Sequence, residues 1–251
     1  MKRINLGRPL VQLQTVDSTN QYAARYMRQG PVTEGTVILA EHQTSGRGQG
    51  GSQWVSEKGS NLLFSIILKP DFLPAYKQFY LSMSIATGIH HYISGLGIHA
   101  VIKWPNDLFI QGKKVAGILI ENTILAKYLN TSVIGIGLNV NQRIFPDDIP
   151  GPTSLSLETG ATFDLSESLK ELLICLKSPL NNLYQGKFAL IRSSYLNLLW
   201  LLNTPSVFTD RTGTFKGRIV DVADTGELLV VTNQGEIRSY GFKEVTFQEE
   251  V

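Results

Sequence analysis

The 251-residue chain holds a single cysteine, Cys175. One thiol can form neither an internal disulfide framework nor a multi-cysteine zinc site. It sits in the apolar run Leu172 to Leu176, where plain core packing is its expected role. The four histidines, His42, His90, His91 and His99, have no ligand-like spacing and are expected to be structural or on the surface. No apolar run approaches the ~20 residues that a bilayer span needs. The basic start, Met1 to Pro9, lacks the apolar stretch and small-residue cleavage site of a secretory leader. The expected compartment is the cytoplasm. Net charge is also scarce: 23 basic against 21 acidic residues leave +2. That argues against a protein built to coat nucleic acid or a membrane surface, but leaves room for a local basic pocket. No repeat or low-complexity tract occurs.

What is present is ordinary for a globular chain, with 43% hydrophobic and 18% charged residues. At about 150 residues per domain, the length fits one large unit, alone or with a small one. A strand is predicted near Leu10 to Gln14. Asp17 or Ser18 then caps a helix that Gly30-Pro31 stops. Thr36 to Ala40 and Asn61 to Leu68 read as buried strands, and Pro74 to Ile93 has helical spacing. Gln111-Gly112, between two apolar runs, signals a hairpin. Tyr128 to Val140 is a long strand, and Thr162 to Leu202 is mostly helical. From Val207 the pattern becomes short strands with turns at Thr212-Gly213, Asp224-Thr225-Gly226 and Gln234-Gly235. The expected division is residues 1–204 and a small all-β module, 205–251. Hairpin-linked strands mixed with helices favour an α+β fold over a doubly wound sheet.

Five segments could carry chemistry. Gly46-x-Gly48-x-x-Gly51 matches the dinucleotide fingerprint in form, but a strand follows it where that fingerprint needs a helix. Lys113 follows Gly112 without the earlier glycine of a phosphate loop. What remains is either a mobile surface loop or a backbone that approaches an anion closely, with Arg47 adding fixed charge. Lys103-Trp104-Pro105-Asn106-Asp107 either displays Asn106 and Asp107 to a ligand or satisfies its own backbone. Lys114 stands where a turn feeds a buried strand and points into a pocket or to solvent. Gly117, and then Gly135 and Gly137 ahead of Asn139, leave strand surface bare, as close approach of a ligand requires. Asp17-Ser18-Thr19-Asn20 either only caps a helix or also holds a polar ligand head.

In this order the segments resemble the biotin protein ligases. The match covers the Ser-Thr-Asn helix start, the Gly-Arg-Gly loop ending in Trp54, Lys103 to Asp107, Lys114 to Gly117, Gly135 to Asn139, and the small β module. The resemblance implies a mixed sheet with helices and a C-terminal SH3-like barrel. It implies activation of biotin with ATP and Mg²⁺ to biotinyl-5′-AMP, then transfer to one lysine of a biotin carboxyl carrier domain. By resemblance Ser18, Thr19, Gln43, Gly46, Arg47 and Gly117 hold biotin. Gly48, Trp54, Asn106, Lys114, Gly135, Gly137 and Asn139 hold ATP or the adenylate. Lys114, Arg47 and Asp107 are the expected catalytic set, with Trp54 covering the adenylate and Glu121 a candidate for the metal.

The family's loop often reads Gly-Arg-Gly-Arg with further basic residues. This chain has Gln49 and Ser52 there, which removes positive charge near the phosphates. Some family members carry an N-terminal DNA-binding domain. Only 16 residues precede Asp17, too few for a helix-turn-helix, so DNA binding is not expected. A homodimer is left open. The alternatives are a lipoate or octanoate ligase or transferase of the same architecture, and a non-catalytic biotin or nucleotide sensor.

Overall fold

The computed structural model describes residues 5–249. Met1 to Ile4, in the basic start, and Glu250 and Val251 lie outside the described residues. The first unit contains β1 (Leu10–Val16), α1 (Thr19–Arg28), β2 (Val37–Gln43), β3 (Leu62–Leu68), α2 (Phe79–Gly95), β4 (Val101–Lys103), β5 (Asp107–Ile110), β6 (Lys113–Leu125) and β7 (Tyr128–Leu138). Helices α3 (Leu155–Thr159), α4 (Leu165–Tyr184) and α5 (Phe188–Leu196) follow. Strands β8 (Ser206–Asp210), β9 (Gly213–Val222), β10 (Leu228–Thr232), β11 (Ile237–Tyr240) and β12 (Val245–Glu249) close the chain.

A seven-stranded sheet runs β1-β2-β3-β7-β6-β5-β4. Only the β1–β2 pair is parallel; its other pairs are antiparallel, so the sheet is mixed. The second sheet is a five-stranded antiparallel one of the SH3-like kind, ordered β11-β10-β9-β8-β12. The expected α+β architecture is therefore what the chain adopts.

Strand β3 shows how the sequence builds this. All seven of its residues are buried, because helices cover both faces of the large sheet. Its side chains alternate between those faces, as strand geometry dictates. Leu62, Phe64, Ile66 and Leu68 enter the main core, whereas Ile67 joins a smaller cluster with Ala23 of α1, Val32, Ile38 and Val133. Helix α2 is buried continuously from Tyr80 to Ile89 and reaches the surface only near its end, at His91, Ser94 and Gly95. It packs on α4 where Gly88 admits Leu176. The hairpin at Gln111-Gly112 has φ of 48° and 76°, the left-handed pair that a two-residue turn requires.

Some local expectations differ from what forms. Ser18 is the N-cap of α1, yet its side chain makes no cap bond. Asp17 instead accepts from Ser18 N and pairs with Arg25 at 2.7 Å, which holds its carboxyl down at about 2. Gln43, from β2, supplies the missing acceptor: its Oε1 takes the Thr19 N–H at 2.7 Å. Trp104, Pro105 and Asn106 form the turn between β4 and β5. The short α3, capped by Ser154 Oγ on Leu157 N, was not anticipated. Cys175 is half-buried against the core.

One apolar core runs through both sheets, from Phe64 and Leu81 to Phe208, Ile219 and Val230. Arg192 of α5 pairs with Asp221 and Asp224, Tyr80 donates to Asp224 at 2.6 Å, and Trp104 Nε1 donates to Gly226 O at 2.9 Å. Tyr195 is fully buried in this core with its hydroxyl unpartnered. An unmade hydrogen bond costs more than the same volume of hydrocarbon. Tyr195→Phe is therefore expected to stabilise the chain by about 1 kcal/mol. Calorimetry should show a midpoint raised by roughly 2–4 °C, and a lowered midpoint would mean the hydroxyl has a partner.

Candidate functional site

The cleft exists because three positions on neighbouring strands lack side chains. Gly117 of β6 faces Gly137 of β7, and Gly135 faces Ser65 of β3. Around this bare surface stand Ser18, Thr19 and Asn20 from the start of α1, Gln43 from the end of β2, and Arg47, Gly48, Gln49 and Trp54 from the glycine-rich loop. Asn106 and Lys114 complete the rim. Eleven residues expected to meet at one ligand, from Ser18 to Gly137, line one cavity.

The floor is a polar network. Gln43 Oε1 accepts from both Thr19 N and Thr19 Oγ1, at 2.7 and 3.1 Å. Ser65 Oγ donates to Asn20 Oδ1 at 2.6 Å and lies 2.8 Å from Thr19 Oγ1. Asn20 Nδ2 donates to Glu121 Oε2 at 2.8 Å and to Leu119 O at 3.2 Å. Asn20 was not among the candidate site residues, though it stands in the Ser-Thr-Asn start. Its amide lies where the Cβ of any residue but glycine at 135 would sit. A polar residue facing a bare strand position is a signal that appears only when the two are brought together in space.

The cations are held before any ligand arrives. Arg47 pairs with Glu121 at 3.0 Å, and Lys114 Nζ lies 2.7 Å from Asp107 Oδ1. A register shift between Leu108 and Phe109 precedes the pairing of Phe109 with Lys114, and such bulges re-aim a side chain. Lys114 Nζ also lies 5.6 Å above the Trp54 ring, within cation–π range. Burial pushes the Asp107 carboxyl up, against the pull of Lys114 and Lys103. Burial likewise lowers Lys103, whose ammonium sits among Phe109, Trp200 and Phe247. Glu121 is engaged by Arg47 and Asn20, so its part at a metal would require releasing both. No group of three or more His, Cys, Asp or Glu side chains suited to a metal occurs among the described residues.

Trp54 lies across the glycine pair. A Cβ on Gly117 would come within 3.0 Å of its Cζ3, and one on Gly137 would overlap the ring. Only about 40 Å³ stays free in the cleft, room for little more than water. Beyond Trp54 and Lys114 a second cavity of about 270 Å³ contains Asn139, Phe145 and Ile149. Asn139 donates to Thr153 O at 2.9 Å, and its Oδ1 is buried without a partner. Asn106 donates to Ile118 O at 2.7 Å on the opposite side. Gly46 lies beneath rather than in the cleft: a Cβ there would strike the Trp54 backbone. The loop itself is folded, with Trp54 N bonded to Gly46 O and Gly48 N to Ser52 O. Lys243, from the second sheet, donates to Gly50 O at 2.7 Å.

Residues 12–139 match the biotin/lipoate A/B protein ligase family, and residues 207–247 match the biotin protein ligase C terminal domain. The chain is 33% identical over 239 residues to the bifunctional ligase/repressor BirA of Bacillus spizizenii, spanning 94% of this chain and 73% of that one. It is 30% identical to the biotin–[acetyl-CoA-carboxylase] ligase of Paracoccus denitrificans, over 87% of this chain and 92% of that one. Among solved structures, the biotin protein ligase from Aquifex aeolicus in complex with biotin and ATP superimposes with a TM-score of 0.79 at 28% identity. That superposition covers 96% of this chain and 99% of that one.

The two crowded glycines should differ in tolerance. Gly135→Ala places a methyl 2.5 to 3.2 Å from an Asn20 amide pinned by Ser65, Glu121 and Leu119. It is expected to cost about 1–3 kcal/mol, the price of overpacking. Gly137→Ala displaces only the Trp54 ring, which can swing, and should cost less. Thermal unfolding of the two variants checks the order, and equal midpoints would contradict it.

Proposed function

The chain belongs to the biotin/lipoate A/B protein ligase family, and from that premise we infer that its cleft activates biotin with ATP and passes the biotinyl group to a lysine of a carrier domain. The observation that carries this reading is the pairing of a neutral polar floor with two cations at the rim. The floor, Ser18, Thr19 and Gln43, suits a ureido head, which needs both donors and acceptors. A purely apolar acyl chain would leave that floor unsatisfied, which disfavours lipoate or octanoate. A retention-only sensor has no use for Lys114 and Asp107 placed together.

In the first step a biotin carboxylate oxygen attacks the α-phosphorus of ATP. The bond from that phosphorus to the bridging oxygen breaks, and pyrophosphate leaves with the electron pair. Both reactants are anionic, so fixed positive charge must meet the charge that builds at phosphorus. Arg47 and Lys114 supply it. Arg47 exchanges the exposed Glu121 for a phosphate oxygen, and such exposed pairs are worth only about 0–1 kcal/mol. Lys114 gives up the more buried Asp107 for phosphate oxygens that carry more negative charge. Magnesium would add positive charge at the phosphates, which would be its chief ligands. Trp54 leaves the glycine pair as biotin enters, and then covers the adenylate with the loop, keeping water from the mixed anhydride. Asn106 and Asn139 flank the nucleotide.

In the second step the lysine amine attacks the biotinyl carbonyl. The carbon–nitrogen bond forms, the carbonyl carbon–oxygen bond to AMP breaks, and AMP departs with that pair. Asp107 accepts the proton. Its raised carboxyl makes it a better base than an ordinary aspartate.

Residues 1–204 form the unit that binds both substrates, and 205–251 the module that closes on it. The reaction needs neither nucleic acid nor membrane, and the ATP pool of the cytoplasm would supply its nucleotide. No helix among the described residues is long and apolar enough to cross a membrane.

The test is the mass of a carrier domain incubated with the protein, ATP, Mg²⁺ and biotin, which should rise by one biotinyl group. An unchanged mass, or modification by lipoate in preference, would overturn the assignment. Lys114→Ala should slow biotin-dependent pyrophosphate exchange by about 10²–10³, or ~2.7–4 kcal/mol. Near-normal exchange would remove Lys114 from the chemistry. The transfer step should gain rate as pH rises through the Asp107 ionisation. That acid limb lies above the ordinary carboxylate value of about 3.9 and is absent in Asp107→Asn. A limb that survives the substitution belongs to another group.

A further inference from the structure

Beside the cleft lies a cavity of about 240 Å³ that no part of the reading above uses. It shares Gln49, Asn106, Ile118 and Leu119 with the cleft, and continues outward between Gln78 and Phe79 at the start of α2, Ser82, Asn122 and Thr225. Its chemistry is the opposite of its neighbour's. The cleft presents Arg47 and Lys114, whereas no side chain lining the cavity is charged. Two oxygens on its lining residues, Gln49 Oε1 and Asn122 Oδ1, are buried with no donor. The amide nitrogen of Asn122 is already used, donating to Gln78 Oε1 at 2.9 Å.

Two buried acceptors left unsatisfied are costly unless a donor visits them. A phosphate or carboxylate would find no cation here and would bring further acceptors to two oxygens that lack donors. A primary amine or ammonium, with two or three donors and no competing anion, matches both oxygens. The stem of a lysine is apolar, and Phe79 and Ile120 line the same cavity.

We propose that this cavity is the port through which the acceptor lysine reaches the activated acyl group. The inference rests on the ligase reading and deepens it by naming the route of the second substrate. The ammonium passes Asn122 and Gln49 and emerges at Asn106, on the side of the cleft away from Asn139. It meets the activated carbonyl there. Thr225 gives the second sheet a place on the wall of the port.

Two substitutions narrow the port without touching the cleft, Asn122→Leu and Ser82→Leu. Three rates are compared with the unaltered chain: biotin-dependent exchange of pyrophosphate into ATP, trapping of the adenylate by hydroxylamine, and biotinylation of a carrier domain. Exchange and trapping are expected within about two-fold of normal, because neither needs a lysine stem, while transfer to the carrier falls about ten-fold or more. Carrier transfer at the normal rate in both variants would overturn the port. So would an equal loss of trapping and transfer, which would place the defect in the chemistry. Exchange also reports folding, and if Ser82→Leu loses it, the milder Asn122→Leu decides alone. Failure of the ligase reading looks different, since the unaltered chain would then show no exchange.

Discussion

Bare backbone on β6 and β7 is the constraint from which the site follows. Side chains at 117, 135 and 137 would meet Trp54 or Asn20 within contact distance, so the cleft could not form beneath them. Glycine in a strand interior sacrifices packing and entropy. The surrounding structure offsets that loss by burying β3 and β7 between helices and by tying Asn20 across three strands. Asn20 reaches β3 through Ser65 and β6 through Leu119 and Glu121, and lies on β7 at Gly135. The start of α1 is thereby fixed against the floor, and Thr19 and Ser18 arrive in place as a consequence. The same network holds Glu121, which in turn holds Arg47.

This arrangement stores the charges for the reaction in neutral pairs. Without Lys114 beside it, Asp107 would be costly as a carboxylate, since its burial already disfavours that form. Pairing them keeps both available. On the reading proposed above, an arriving phosphate takes the lysine and leaves the aspartate as a free base, so binding the first substrates would prepare the group needed for the second step. That ordering comes from electrostatics alone and needs no movement of the backbone.

Much of this was legible in the sequence, and what was missed has a common cause. The turn at Gln111-Gly112, the buried run of β3 and the change to short strands after Thr204 are local patterns, and they read correctly. The glycines of β6 and β7 announced a close approach, although not which group approaches. The N-cap of α1 falls on Ser18 as expected, but the side-chain acceptor for the first turn, Gln43, is 24 positions away on another strand. Local capping rules see only neighbours in sequence. Asn20 was overlooked for the same reason: its partners lie 45 to 101 positions away. The bond from the Trp104 indole nitrogen to Gly226 in the second sheet is 122 positions long and equally out of reach of local patterns. Trp54, expected over a nucleotide, rests on the floor that a ligand would take.

The second sheet is tied to the cleft at separate points of different character. Its Asp224-Thr225-Gly226 turn grips Tyr80 and Trp104, at the two elements that frame Asn106. Lys243, itself in the left-handed region at φ 66°, reaches the tip of the glycine-rich loop at Gly50, where φ is 62°. Phe247 closes the ring stack around Lys103. A module attached only by a linker would leave the loop free to open at any stage. Here one turn is rigidly held by a buried indole and an arginine–aspartate network, while the loop contact is a single exposed hydrogen bond, worth about 1 kcal/mol. The strong contacts fix the module, and the weak one lets the loop release and return. A cleft that must admit two substrates, exclude water and then receive a protein lysine requires that division of strength.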